Sequence, residues 1–178
     1  MKKLALLLSL IIAASVGLSS CSASTEVSVN RSPSPKKPLI TTETGLKSEL
    51  QSVFKSYTDR TIELKNFKLT DRTLEVDIVE GDLMYSWGNL QPLSSVYCWF
   101  DVEEILVLAQ KSKLVENLRV RIFIPEIDRF GNYTKPKLAM KVNFLEKSVQ
   151  RVNTETLGGW ELSSATTSYW MTDDLRNH

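Results

Sequence analysis

The first 44 residues limit what the chain can fold into, because two successive patterns keep them out of any packed core. Lys2 and Lys3 precede an apolar run from Leu4 to Leu18, and small residues follow up to Cys21. A short basic start, an apolar stretch of this length and a small-residue junction are typical of a secretory signal peptide. A membrane-spanning helix needs about 20 apolar residues, whereas this run is shorter and contains two serines.

The junction Leu18-Ser19-Ser20-Cys21 resembles the lipobox of bacterial lipoproteins. In that family a dedicated peptidase cuts before the cysteine, whose sulfur carries a diacylglyceryl group. The resemblance implies that Cys21 anchors the protein to a membrane, since two or more acyl chains hold a protein stably. An uncleaved anchor and cleavage without lipid attachment stay open as alternatives.

The same resemblance implies where the protein is located. Ser22 follows the cysteine, and it is not the aspartate that is typical of inner-membrane retention in Gram-negative lipoproteins. The expected location is therefore the outer membrane if the host is Gram-negative. In a Gram-positive host it is the outer face of the cell membrane.

A tether is predicted to follow the cysteine. Twelve of the 23 residues from 22 to 44 are Ser, Thr or Pro, and the segment Ser32 to Pro38 contains three prolines, which lack the amide donor needed inside a helix or sheet. As a flexible coil this segment would span about 25 Å. The sequence thus divides into a signal peptide at 1–20, the lipidated cysteine and tether at 21–44, one α+β domain at 45–172 and a frayed tail at 173–178.

Composition bounds the class of protein. Loss of Lys2 and Lys3 with the signal reduces the 22 basic residues to 20, against 21 acidic residues, so the formal charge is about −1. Nucleic-acid-binding proteins usually carry a clear basic excess, and composition therefore argues against a nucleic-acid partner. A hydrophobic content of 42% with four tryptophans suits one packed core at this length.

Apolar residues at helical spacing predict two main helices. The first helix is expected after an N-cap at Thr44, with an apolar stripe of Leu46, Leu50, Val53, Phe54 and Tyr57. The second is expected over residues 94–113, with a stripe of Val102, Ile105, Leu106 and Ala109. At its start, the run from Val96 to Phe100 is also compatible with a short strand.

Alternation with a period of two predicts two hairpins. The first joins residues 61–65, with a bulge near Phe67, to Leu74–Ile78, and the second joins Leu118–Ile124 to Leu138–Phe144. Each strand has one apolar face. We therefore expect an α+β fold, a two-layer sandwich in which a largely antiparallel four-stranded sheet packs against the two main helices. The pattern leaves the strand order open, and it predicts a loop over residues 81–92.

The outward-facing positions of this sheet carry charge in blocks. Acidic side chains lie on the first hairpin, at Glu63, Glu75 and Asp77, and basic ones on the second, at Arg119, Arg121, Lys137 and Lys141. Such a separation would suit an anionic ligand, such as a lipid headgroup or a wall polymer. The alternative is a solvated face on which cross-strand ion pairs contribute little each.

Aromatic residues in polar segments form a second group of candidates. Trp87 and Trp170 are the best placed to stack on a ligand or hold a partner. The other aromatic residues of these regions are equally compatible with core or loop packing, namely Tyr85, Tyr97, Trp99, Trp160 and Tyr169.

No catalytic set can be assembled from the sequence. The single histidine, His178, is the last residue, and Cys98 lies in an apolar run without a base, which predicts an inert buried thiol. A leftover cysteine in an exported protein can also stay reactive or pair with another molecule. Asp173 and Asp174 with His178 would form a metal site only on an unsupported tail. We predict neither a metal nor a cofactor.

These observations favour a non-enzymatic, lipid-anchored bacterial envelope protein whose domain binds another envelope macromolecule as an adaptor. The alternative is a binder of a small or polymeric anionic envelope ligand. That ligand would contact the charged sheet face or the aromatic loops, through Arg119, Arg121, Lys137, Lys141, Trp87 and Trp170. A hydrolase has the least support, because neither a base nor a metal site is apparent.

Overall fold

The computed structural model describes residues 39–58, 60–81, 85–86, 89–90, 94–126 and 128–176. Cys21, Trp87 and His178 lie outside the described residues, as do the signal peptide and nearly all of the tether. The predictions made for them therefore stay predictions.

The described helices are α1 (Glu43–Ser56), α2 (Ser94–Ser112) and α3 (Asp173–Arg176), with 3-10 helices at Ser148–Arg151 and Gly159–Ala165. The strands are β1 (Ile62–Thr70), β2 (Thr73–Glu80), β3 (Tyr85–Ser86), β4 (Asn89–Leu90), β5 (Asn117–Ile124), β6 (Lys137–Phe144) and β7 (Ser168–Met171).

Five of these strands form a mixed sheet in the order β1-β2-β5-β6-β7, and β3 pairs only with β4. The β1–β2, β5–β6 and β6–β7 pairs are antiparallel, whereas β2 and β5 are parallel. Parallel neighbours need a long crossover connection, and α2 supplies it between the two hairpins. The α+β class is confirmed, and both predicted hairpins are present. The expected four-stranded sheet is corrected to five strands in the described part of the chain.

The fifth strand escaped prediction because it carries no alternating pattern. Three of the four residues of β7 are exposed, and only Met171 is buried, so its pairing is set by the free edge of β6 rather than by its own hydrophobicity. The chain then turns into α3, where Leu175 is completely buried. Residues 173–176 thus differ from the frayed tail expected from the sequence, because one apolar side chain docks them on the core.

The first helix begins two residues earlier than expected. The side chain of Thr42, not that of Thr44, caps α1, since its hydroxyl oxygen accepts a hydrogen bond from the Gly45 amide at 3.1 Å. Of the predicted apolar stripe, Leu46, Leu50 and Phe54 are buried. The capping position therefore shifts while the buried face stays as predicted.

The second helix covers the same face of the sheet. Residues 96–100 are helical, so the short-strand alternative is wrong. The buried side of α2 packs with the inward residues of β2, β5 and β6 in one core, formed on the helix by Cys98, Trp99, Val102, Ile105, Leu106, Leu108 and Ala109. The predicted bulge in β1 is confirmed by a shift of register between Leu64 and Asn66. The opposite face of the sheet is left with the charged side chains.

Candidate functional site

The charged side chains of the outer sheet face are paired by the parallel register of β2 and β5. Glu75 lies opposite Arg119, and Asp77 lies opposite Arg121. Arg119 donates one hydrogen bond to Glu75 at 2.9 Å, while Arg121 donates through Nε and Nη2 to the two oxygens of Asp77, each at 2.7 Å. The second contact is the bidentate geometry that makes arginine–carboxylate pairs specific.

This pairing leaves fewer basic side chains free to bind an anionic ligand. The hydrogen bonds that Arg121 donates to Asp77 raise the pKa of Arg121 above its usual value, and Lys137 contacts Glu126 at 2.6 Å. Three of the four predicted cations therefore already have a carboxylate partner. Arg119 and Arg121 form the cross-strand ion pairs that the sequence offered as the alternative to a binding face. Neither therefore offers an unmatched charge to an anion.

Lys141 is different, because its partner is an aromatic ring. It lies opposite Trp170 in the β6–β7 register, with its Nζ 5.9 Å from the ring centroid. Both side chains are exposed, and among the described residues no carboxylate lies within ion-pair distance of Lys141. A concavity of about 210 Å³ on the sheet face is lined by Lys141, Asn143 and the paired charged side chains of β2 and β5.

The other aromatic candidates separate into packed and exposed residues. Trp99 is buried and meets Tyr169 edge to face, with centroids 5.5 Å apart and ring planes at 71°. Trp160, in the second 3-10 helix, is 65% exposed. The ring of Tyr97 contacts a buried arginine, Arg60. Trp87 is one of the residues that the structure does not describe.

That arginine belongs to a buried charge cluster that was not predicted from the sequence. Arg60, between α1 and β1, reaches into the domain and lies 2.7 Å from Asp101 of α2 and 3.6 Å from Glu80 at the end of β2. Asp101 and Glu80 are completely buried, and the Arg60 side chain is 8% exposed. Its guanidinium carbon lies 4.2 Å from the ring centroid of Tyr57 and 5.4 Å from that of Tyr97.

Two carboxyl groups share this single guanidinium. Burial raises the pKa of Asp101 to about 7, while Arg60 acts in the opposite direction and Glu104 adds to the rise. Neither carboxyl oxygen of Glu80 has a hydrogen-bond partner among the described residues. The cluster therefore has more acceptors than its one arginine satisfies. Burying a carboxylate without a partner costs free energy.

A surface cleft of about 300 Å³ opens over this cluster. Its lining consists of Tyr57, Arg60, Tyr97, Phe100, Glu103 and Glu104. The position of Glu103 is set by the Gly159 amide, which donates a hydrogen bond to its Oε2 at 2.6 Å. Gly159 has a φ of +52° and lies close to the Phe100 ring, so a side chain at this position would be strained and crowded. The turn at Gly159 therefore borders one side of the cleft.

The sequence contained one signal for this site. Asp101 stands in an otherwise apolar part of α2, directly after Trp99 and Phe100 and before Val102. A charged residue at such a position has to be buried with a partner. Its partner, Arg60, is 41 residues away along the chain, and no periodic pattern connects the two.

Cys98 lies three residues before Asp101 on α2 and is not one of the charged groups of the cluster. It is a free, completely buried thiol, and burial raises its pKa to about 12. The prediction of a buried core thiol is therefore confirmed. Because thiolates rather than thiols react, the folded chain keeps this sulfur in its unreactive form.

Two features are absent from the described residues. Within those ranges no three His, Cys, Asp or Glu side chains are grouped so as to hold a metal ion. None of the described helices has the length and hydropathy needed to cross a membrane. Comparison of the chain with protein-family models, with curated proteins and with solved structures found no match.

Proposed function

We propose that this chain is a lipid-anchored bacterial envelope protein whose folded domain is a non-catalytic binding module, acting as an adaptor for another envelope macromolecule. The observation that carries the proposal is the junction ending at Cys21, directly after an apolar run of signal-peptide length. A Ser, Thr and Pro-rich segment separates this cysteine from the start of α1 at Glu43. Such a segment lets an anchored domain reach a partner beyond the lipid headgroups.

The surface of the domain supports the binding part of this proposal. Trp160 and Trp170 are both about half exposed or more, although tryptophan is a residue that domains usually bury in large part. Exposed tryptophans are enriched among the residues that anchor protein interfaces. They are held on structured elements, a 3-10 helix and β7, and so present their rings in fixed positions.

The anchor is tested by the intact mass of the protein recovered from cells that express the full sequence. We expect a mass greater than that of residues 21–178 by the mass of the acyl groups, and recovery in the membrane fraction. A Cys21→Ala variant should lack this added mass. Cys98→Ala is the matched control, since loss of the other cysteine leaves the modification intact. An unmodified wild-type mass would overturn the proposal of a lipid anchor.

The adaptor role is tested by crosslinking in intact cells, with Trp170→Ala as the variant. We expect one crosslinked partner that is lost or reduced in the variant while the anchored protein stays at its normal level. Trp160→Ala removes the second exposed ring, on another element, and a loss of the same crosslink in this variant would place both rings at the contact. A wild-type protein that crosslinks only to itself or to nothing would contradict the adaptor role.

A second candidate function is binding of an anionic envelope ligand on the outer sheet face. The observation that favours it is Lys141, whose charge has no carboxylate partner among the described residues and lies beside the exposed Trp170 ring. Arg119 and Arg121 would contribute less, since their charges are matched by Glu75 and Asp77.

This second candidate predicts measurable binding of a poly(glycerol phosphate) polymer that weakens as salt is raised. Lys141→Ala should weaken this binding about threefold or more, because one exposed charge contributes up to about 1 kcal/mol. Lys47→Ala, which removes an exposed lysine from α1, should leave it unchanged. Equal effects of the two substitutions would contradict a role for the sheet face.

A further inference from the structure

The cleft over the buried charge cluster is aromatic and acidic. Its aromatic side chains are Tyr57, Tyr97 and Phe100, and its rim carries Glu103 and Glu104. Beneath it lie Asp101 and Glu80, both in ion-pair contact with Arg60, so the cleft and the cluster together contain four carboxyl groups and one guanidinium. Even with Asp101 protonated, negative charge exceeds positive charge at this place.

We propose that this cleft binds an organic cation, an ammonium or guanidinium group, carried either by a small amine or by a lysine or arginine side chain of a partner protein. The site lies on the helical side of the domain, away from the outer sheet face. The inference goes beyond the proposed function and does not depend on the lipid anchor.

The way in which Arg60 is held supports this choice of ligand. The faces of Tyr57 and Tyr97 already receive a cation, since the guanidinium carbon lies 4.2 Å and 5.4 Å from their ring centroids. Aromatic faces attract cations through the ring quadrupole, and the attraction grows when water is excluded. The remaining space, about 300 Å³, is at the lower end of the range for small-ligand pockets.

The carboxyl groups of the cleft differ in whether they are free to pair with the charge of such a ligand. Glu103 already accepts a hydrogen bond from the Gly159 amide. Glu104 lines the cleft and has no hydrogen-bond or ion-pair partner among the described residues. Its negative charge also contributes to the raised pKa of Tyr57, after burial and Asp101. Glu104 is therefore the carboxylate with which an incoming cation would pair.

Glu80 gives an independent reason to expect a cation rather than an anion. It is completely buried, and among the described residues its oxygens make no hydrogen bond and one ion-pair contact, with Arg60 at 3.6 Å. A buried carboxylate in this state favours any additional positive charge nearby and disfavours additional negative charge. An anionic ligand in the cleft would also meet Glu103 and Glu104, which line it together with Arg60.

The experiment is an NMR titration of the protein as recovered from cells expressing the full sequence, followed through backbone amide shifts. The probes are capped Ala-Lys-Ala, capped Ala-Arg-Ala, putrescine and, as the anionic control, capped Ala-Glu-Ala. We expect the cationic probes to shift the amides of Tyr57, Phe100 and Gly159 with saturation. Capped Ala-Glu-Ala should leave them unshifted.

Two of these probes distinguish the source of the cation. Saturation by putrescine at lower concentration than by the peptides indicates a small-amine ligand. The reverse order indicates a side chain of a protein partner. Both results support the proposal. Absence of saturable shifts with every cationic probe, or stronger binding of capped Ala-Glu-Ala, overturns it.

A matched pair of variants assigns the binding to the cleft. Glu104→Gln removes one charge with little change of shape, and should weaken the binding of the cationic probes about three- to fivefold, the size expected for one partly exposed charge pair. Glu49→Gln removes an exposed charge from α1 and should have no effect. Unchanged amide shifts of the buried sheet residues Leu118 and Val142 in the unliganded variants verify that the fold is intact. Equal binding by the two variants would overturn the assignment.

Discussion

Arg60 connects three parts of the chain that lie far apart in sequence. It precedes β1, and its guanidinium reaches Asp101 of α2 and Glu80 at the end of β2. Burying such charges costs more free energy than their attraction usually returns, so the cluster is poorly explained as a source of stability. Beneath the aromatic and acidic cleft, the cluster holds the Arg60 guanidinium against the rings of Tyr57 and Tyr97.

Asp101 makes stability depend on pH in a defined direction. Burial raises its pKa to about 7, whereas an aspartate in the unfolded chain titrates near 3.9. Between these values the folded state binds more protons than the unfolded state, so the free energy of unfolding falls as pH rises. The decline from this one group is at most about 1.4 kcal/mol per pH unit, and it ends above about pH 7.

The test is urea unfolding of wild type and Asp101→Asn at intervals from pH 4.5 to 7.5. The substitution should remove this decline, because asparagine does not titrate. Asp71→Asn, at an exposed turn position, should retain it. Parallel pH profiles for wild type and Asp101→Asn would show that Asp101 titrates at an ordinary carboxyl pKa in the folded protein.

At the scale of elements, periodic segments were predictable and their neighbours in space were not. The two hairpins and the buried faces of α1 and α2 follow from apolar spacing within single segments. The parallel contact between β2 and β5 depends on how α2 crosses between the hairpins, and no local pattern encodes it. That contact places Glu75 and Asp77 beside Arg119 and Arg121. It therefore turns the predicted charge blocks into ion pairs.

The start of α1 offers a direct comparison between two neighbouring threonines. Thr42 makes the capping hydrogen bond to the Gly45 amide, while Thr44 lies inside the first turn. Thr42→Ala should lower the free energy of unfolding by about 1 kcal/mol, because one amide of the first turn loses its acceptor. Thr44→Ala should change it by less than about 0.5 kcal/mol. Urea unfolding measures both, and the reverse order would place the cap at Thr44.

The last helix contributes to the fold through a single apolar side chain. Leu175 is completely buried, although α3 has only four residues. Leu175→Ala should lower the free energy of unfolding by about 2–4 kcal/mol through lost burial and the cavity that remains. Leu39→Ala is the control, since Leu39 is 52% exposed and should cost much less. A loss below about 0.5 kcal/mol for Leu175→Ala would indicate that this segment is frayed in solution.

At the scale of the whole molecule, the reactivity of one cysteine thiol tests the proposed lipid anchor and that of the other tests the fold. Cys21 belongs to the lipobox-like junction, and Cys98 lies in the core with its pKa raised to about 12 by burial. The proposed lipid would block the Cys21 sulfur by covalent modification, whereas burial suppresses the reactivity of the Cys98 thiol. Unfolding reverses only the second.

Thiol alkylation by iodoacetamide, read by mass, therefore counts accessible cysteines in each state. Under the proposed anchor, the wild-type protein should gain no alkyl group when folded and one in denaturant, because Cys98 becomes exposed while lipid would occupy the Cys21 sulfur. In Cys98→Ala the count should stay at zero in both states. A wild-type protein that gains one group when folded and two in denaturant would have a free Cys21, which would contradict the anchor. One that gains none until it is reduced would hold a disulfide, which contradicts the buried free thiol as well.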